Sequence, residues 1–132
     1  MSAVVIDTDV VSFLFKGHPV ASLYESDLKG HAPLISFMTL AELTRWPMQA
    51  KWGEEKRRRL TQYVGQFAVM PWDRELCTVW ADVMTTAQAK GFRIECADAW
   101  IAATALHFDI PVVTHNRDDY RGVSGLRVIC HA

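Results

Sequence analysis

The chain has no apolar run approaching the roughly 18 residues a membrane-spanning helix requires. Its first residues, Met1-Ser2-Ala3-Val4-Val5-Ile6, meet Asp7 too soon to form the apolar core of a signal peptide. Membrane insertion and export are therefore not expected, and a cytoplasmic location is. Cysteine is scarce: Cys77, Cys96 and Cys130 are odd in number, far apart and outside any Cys-x-x-Cys pair. That pattern excludes a disulfide framework and argues against structural zinc. Net charge is also lacking, with 14 Lys plus Arg against 15 Asp plus Glu, so attraction to nucleic acid must come from a local patch. Repeats, linkers and low-complexity tracts are absent. What remains is 132 residues, 50% hydrophobic and 22% charged, the profile of a single globular domain over 1–132 with a core of its own.

Ala3-Val4-Val5-Ile6 is rich in β-branched residues and stops at Asp7-Thr8-Asp9, which reads as a buried strand running into a turn. Ala32 to Phe37, Phe67 to Met70, Ile110 to Thr114 and Leu126 to Cys130 repeat the signature. Helical patterns fill the intervals: Val10 to Lys16, Val20 to Lys29, Thr39 to Lys51, Glu54 to Gln66, Arg74 to Lys90 and Ala97 to Phe108. The last shows an apolar stripe at Ala97, Trp100, Ile101, Thr104, Ala105 and Phe108. Pro47 should bend or split the third helix, with a restart at Gly53-Glu54-Glu55. Alternating strands and helices imply an α/β fold, a parallel sheet covered on both faces.

Ligands of such sheets bind beyond the carboxyl ends of the strands, and the residues found there are mostly acids. Asp7 and Asp9 follow the first strand, Glu42 lies in the helix after the second, and Asp98 begins the helix before the fourth. Thr114, Asn116, Asp118 and Asp119 follow the fourth strand. Each acid also has a structural explanation. Thr39-Leu40-Ala41-Glu42 matches a capping box, Asp98 suits a helix start, and Asp7-Thr8-Asp9 suits an Asx turn. Collected at one edge, however, carboxylates repel one another by about 1 kcal/mol per pair at 4 Å in water and by more when partly buried. A divalent cation removes that repulsion, and an all-oxygen donor set selects Mg²⁺ or Mn²⁺. His115 reads as a solvent-facing neighbour.

The segments Val4-Val5-Ile6-Asp7-Thr8-Asp9-Val10-Val11-Ser12, Leu40-Ala41-Glu42-Leu43, Ala97 to Leu106, Val113 to Tyr120 and Gly122 to Ile129 together resemble a PIN-domain ribonuclease of the VapC toxin type. The resemblance implies a three-layer α/β/α domain with a five-stranded parallel sheet in order 3-2-1-4-5. It implies a metal-dependent endoribonuclease that cleaves RNA phosphodiesters with metal-activated water, as the toxin of a toxin–antitoxin pair. The catalytic acids would be Asp7, Glu42, Asp98 and Asp119, with Asp7, Glu42 and Asp98 binding Mg²⁺ or Mn²⁺. Thr114 and Asn116 would support them by hydrogen bonds to an acid or a phosphate, or would stabilise the turn. Two departures stand out: Asp9 occupies a place where the family commonly has Asn, and Asn116 stands where many members carry the fourth acid, which moves that role to Asp119 or to Asp118. A VapB-type antitoxin and a homodimer are further implications. Asp7 and Asp98 are expected to be needed for cleavage and dispensable for folding.

Lys56-Arg57-Arg58-Arg59, with Arg45 and Lys51 upstream, is the one basic concentration, and it reads either as a solvated helix face or as an RNA-steering patch. Trp46 and Trp52 flank it, suited to packing or to stacking on unpaired bases. Two other readings compete for the whole chain. A phosphatase using Asp-x-Asp fits the first strand but lacks an acidic pair directly after a later strand, since Thr-His-Asn-Arg intervenes. An inactive PIN-fold binding module would have no need of four filled acidic positions.

Overall fold

A computed structural model describes residues 2–132. Strand β1 (Ala3–Ile6) leads into α1 (Thr8–Lys16), and after a 3-10 turn at Pro19–Tyr24 and the short α2 (Glu25–Leu28) come β2 (Ala32–Ser36) and α3 (Phe37–Gln49). Helix α4 (Glu54–Val64), β3 (Ala68–Met70), α5 (Arg74–Ala89), α6 (Cys96–Phe108), β4 (Val112–Val113), a 3-10 turn at Arg117–Tyr120 and β5 (Val128–Ile129) complete the chain. The five strands form one parallel sheet in order β3-β2-β1-β4-β5. Val5 is opposite Leu34 on one side and Val112 on the other, so β1 is central.

Period-two alternation along β1 divides the core. Val4 and Ile6 face a cluster with Val10, Val11, Tyr24, Ile35, Leu43 and Leu60. Val5 faces the opposite cluster, with Val83, Ala87, Ile101, Ala102, Ala105 and Val112. Each face thus carries its own helical layer, the three-layer α/β/α arrangement expected.

Element boundaries depart from the sequence reading in three instructive places. The expected helix Val20 to Lys29 is a 3-10 turn followed by one α-turn, and the seam falls at Tyr24, whose fully buried ring is held by its hydroxyl. Helix α3 starts at Phe37, two residues before the expected Thr39, because the Ser36 hydroxyl accepts from the Met38 N–H. Pro47 lies within α3, which runs only two residues beyond it before the chain restarts at Gly53. In α6 the buried residues are Ala99 and the whole run Ile101 to Thr104 and Ala105, while Phe108, expected in the apolar stripe, is 44% exposed. A helix buried nearly all round has no stripe to detect, and its small alanines give close approach to α5 and the sheet. Gly122 serves a similar end: a Cβ there would come within 2.7 Å of the Phe92 Cβ and 2.9 Å of the Ala87 Cβ, so only glycine lets the turn after Tyr120 lie against α5.

Candidate metal centre

The central strand ends at Asp7, which caps α1 and is 5% exposed. Its Oδ1 accepts from the Thr8 N–H at 2.7 Å. Its Oδ2 accepts from the Thr114 hydroxyl at 2.8 Å and from the Tyr120 hydroxyl at 2.7 Å. The side chain is therefore pinned from α1, from the end of β4 and from the 3-10 turn beyond it. These contacts correct the expectation that Asp7 is dispensable for folding: it is a buried N-cap that satisfies three donors.

Asp98, in the first turn of α6, and Asp119, in the turn after β4, approach Asp7 so that one carboxylate oxygen from each lies within 4.8 Å of the others. Asn116 donates its side-chain N–H to Asp119 Oδ1 at 3.0 Å, and its own backbone N–H is received by the Thr114 hydroxyl at 3.1 Å. Thr114 and Asn116 thus both bond acids. Asp118 is exposed and outside the cluster. Glu42, half-buried one turn into α3, also stands outside the close trio, and its Oε1 accepts from the Thr8 hydroxyl at 2.7 Å. That bond replaces the capping-box reading, because Ser36 is the cap of α3 and Thr39 is buried within the helix, its hydroxyl 3.0 Å from that of Thr8. Asp9 completes the edge, its Oδ2 accepting from the backbone N–H of His115 at 3.1 Å. His115 does not face solvent as expected: half-buried, it packs edge-on against Phe13 and Tyr24, with its Nδ1 2.6 Å from the Tyr24 hydroxyl.

The electrostatics are those of crowded, partly dehydrated acids. Burial above all raises the Asp7 carboxyl above the ordinary carboxylate range, against the lowering effect of its hydrogen bonds. Asp98 is pushed up to about 7 by burial and then by Asp7, Asp119 and Glu42. Asp9 also rises to about 7, through burial and the Asp7 charge, and Asp119 rises for the same two reasons. Such a set is destabilised in its ionised form and gains by meeting a cation. The donor chemistry, three carboxylate oxygens with neither His nor Cys among them, fits a hard divalent ion. Among residues not singled out from sequence, Tyr120 is the important one. A phenol six residues beyond Thr114 carries no motif signal, and only the turn at Arg117–Tyr120 brings its hydroxyl back to Asp7.

Of the basic residues, Lys56, Arg57, Arg58 and Arg59 are exposed on α4. Arg57 donates to the carbonyls of Trp52 (2.9 Å) and Pro47 (3.4 Å), Arg58 pairs with Glu55 (3.4 Å), and the Lys56 ammonium sits 4.1 Å from the centre of the Trp52 ring. Trp46 and Trp52 are half-buried and pack with Phe15 against the core.

A parallel sheet in this order thus gathers acids from the end of β1, from α6 and from the turn after β4 at its carboxyl edge, as a metal-binding α/β domain would. The PIN domain pattern matches residues 4–125, and the chain belongs to the PIN-domain family. Ribonuclease VapC4 of Mycobacterium tuberculosis (strain ATCC 25618 / H37Rv) is 32% identical over 97 residues, covering 72% of this chain and 74% of the relative. Ribonuclease VapC1 of Haemophilus influenzae (strain R2866) is 24% identical over 124 residues, 92% of each chain. Among solved structures, VapBC2 from Rickettsia felis bound to a promoter DNA fragment superposes with a TM-score of 0.86 at 20% identity, covering 98% of this chain and 99% of that one, and so shares the fold. The PIN domain is a nuclease fold whose nucleases depend on metal, and this chain carries an acidic cluster where one would sit.

Proposed function

We propose that this protein is a divalent-metal-dependent endoribonuclease, the toxin of a type II toxin–antitoxin pair, built as one PIN domain over 1–132. The observation that carries the reading is the convergence of Asp7, Asp98 and Asp119, from three separate elements, to within 4.8 Å while burial holds each carboxyl above its ordinary range. Asp7, Asp98 and Asp119 would hold the ion, Mg²⁺ or Mn²⁺, with Glu42, fixed by Thr8 outside the close trio, as the fourth acid beside it. When bound, the ion supplies Lewis acidity toward the phosphodiester and offsets the charge of the acids. The chain's own part is placement. Thr114 and Tyr120 fix the Asp7 carboxylate, Thr8 fixes Glu42, and Asn116 fixes Asp119. Lys56, Arg57, Arg58 and Arg59 form a peripheral face that draws in the RNA backbone. A VapB-type antitoxin is the partner, in keeping with relatives solved as toxin–antitoxin complexes. A homodimer and a cytoplasmic location complete the proposal; the free thiols of Cys77, Cys96 and Cys130 suit a reducing compartment.

The test is cleavage of single-stranded RNA with and without Mg²⁺ or Mn²⁺. Wild type should cut only with metal, and Asp98→Asn should lose at least a hundredfold in rate. Full activity in that variant, or cleavage undiminished by chelator, would remove the assignment.

A further inference from the structure

Beside the acids a cleft of about 330 Å³ opens between α1 and α3. Its size falls at the lower end of the range for small-ligand sites, about 300–1,000 Å³. The two helices present one stripe each. Asp9 and Ser12 line it from α1. From α3 come Glu42, Arg45, Trp46 and Gln49, at intervals of three, four and seven that put them on one face. Thr8 and Glu42, joined by a hydrogen bond, line the cleft beside Asp9, two residues on from the Asp7 cap of α1, and Arg45, Trp46 and Gln49 carry the lining on along α3. Chemistry changes along it. The inner end is acidic, whereas the outer part offers a hydroxyl, a carboxamide that both donates and accepts, and a guanidinium. Arg45 is exposed and, among the described residues, forms no salt bridge. Trp46 supplies a stiff apolar wall, since Phe15 and Trp52 pack against its ring at 6.2 and 4.5 Å.

Acids at a cleavage site repel every phosphate except one neutralised by metal, so a strand bound there needs its next phosphate met by a cation within one nucleotide's reach. Arg45 stands one helical turn, about 5 Å, beyond Glu42. Unpaired RNA bases are read through hydrogen bonds to their edges, which a Gln amide and a Ser hydroxyl beside an aromatic wall provide. We propose that this cleft is the subsite for the nucleotide flanking the scissile phosphate of single-stranded RNA, with Arg45 on its phosphate and Gln49 and Ser12 on its base edge. The inference rests on the nuclease reading and adds to it the part of the chain that selects sequence.

The experiment compares wild type, Gln49→Ala, Ser12→Ala and Arg45→Gln, with the exposed α5 variant Gln88→Ala as control, after confirming that all melt alike. Initial rates are measured with Mg²⁺ on single-stranded RNA oligonucleotides that differ at the nucleotides flanking the cut. Binding of a fluorescein-labelled RNA is measured separately by anisotropy without metal. Gln49→Ala should flatten the base preference at one flanking position by roughly 5- to 150-fold, the discrimination a base-edge contact pair supplies. Arg45→Gln should raise KM more than it lowers kcat and reduce the log–log salt slope of binding by about 0.7, one phosphate contact on a single strand. A flanking profile and salt slope equal to wild type in these variants overturn the subsite. If wild type cuts no RNA the nuclease reading fails, and the anisotropy arm still decides the cleft: weakened binding in Gln49→Ala and Arg45→Gln supports it, and unchanged binding overturns it.

Discussion

Thr114 and Tyr120 donate to the same oxygen of Asp7, and the Thr8 N–H donates to the other, so this one carboxylate is both the end of the central strand and the anchor of two loops. Removing the phenol hydroxyl leaves the ring in place and takes away one donor to a buried acid. Tyr120→Phe should therefore lower stability by about 1–3 kcal/mol in urea unfolding with an unchanged m value. Asp7→Asn should also be destabilised, because an amide N–H must then face a donor. Asp98→Asn should not, since none of the influences on Asp98 is a hydrogen bond from the chain and its removal relieves repulsion. Metal-free melting of the three variants separates the cases, and equal losses in Asp98→Asn and Asp7→Asn would contradict this account.

At the level of elements, α4 divides its cations between local and free roles. Arg57 donates to the carbonyls of Trp52 and Pro47 across the break between α4 and α3, which itself runs two residues past Pro47. Lys56→Gln with Arg59→Gln keeps the Arg57 hydrogen bonds at that junction, gives up the Lys56 contact with the Trp52 ring, and tests phosphate steering. The pair should reduce the salt slope of RNA binding by up to about 0.7 per contact without changing metal affinity. A slope equal to wild type would return α4 to a solvated face. The same elements show what the sequence discloses. All five strands were legible as short apolar runs between helical patterns, though only the first runs directly into an acid, and the acids near the carboxyl edge stood out by charge. The exact start of α3 was not legible, because Ser36 and Thr39 are both good caps and only packing chooses. Tyr120 was silent because its contact with Asp7 spans 113 residues, and the apolar stripe of α6 misled because alanine, which fills its buried surface, carries little periodic signal.

For the whole molecule, the raised carboxyls tie stability to pH and to metal. Unfolded, these acids titrate near 4, whereas folded Asp9 and Asp98 titrate at about 7. Between those values the native state binds more protons than the unfolded state. The contribution of these groups to the metal-free protein's stability should therefore be full below about pH 4, decline between about 4 and 7, and level off above. Thermal melts at constant ionic strength from pH 5 to 8 should show the decline, and it should be shallower in Asp98→Asn. Mg²⁺ or Mn²⁺ should restore stability at pH 8, by about 2.7 kcal/mol at a hundredfold excess over Kd, and much less in Asp98→Asn. Equal stabilisation of both proteins would place the ion elsewhere. The helix that carries Asp98 has one further property. Trp100, two residues on, stacks on Trp80 with ring centres 5.0 Å apart, and the Trp80 indole N–H reaches the Cys96 carbonyl at the start of the same helix. A change of charge among the acids is therefore a change of electric field at a stacked indole pair on the same helix, and the protein carries an intrinsic optical probe beside its candidate metal centre that needs no label.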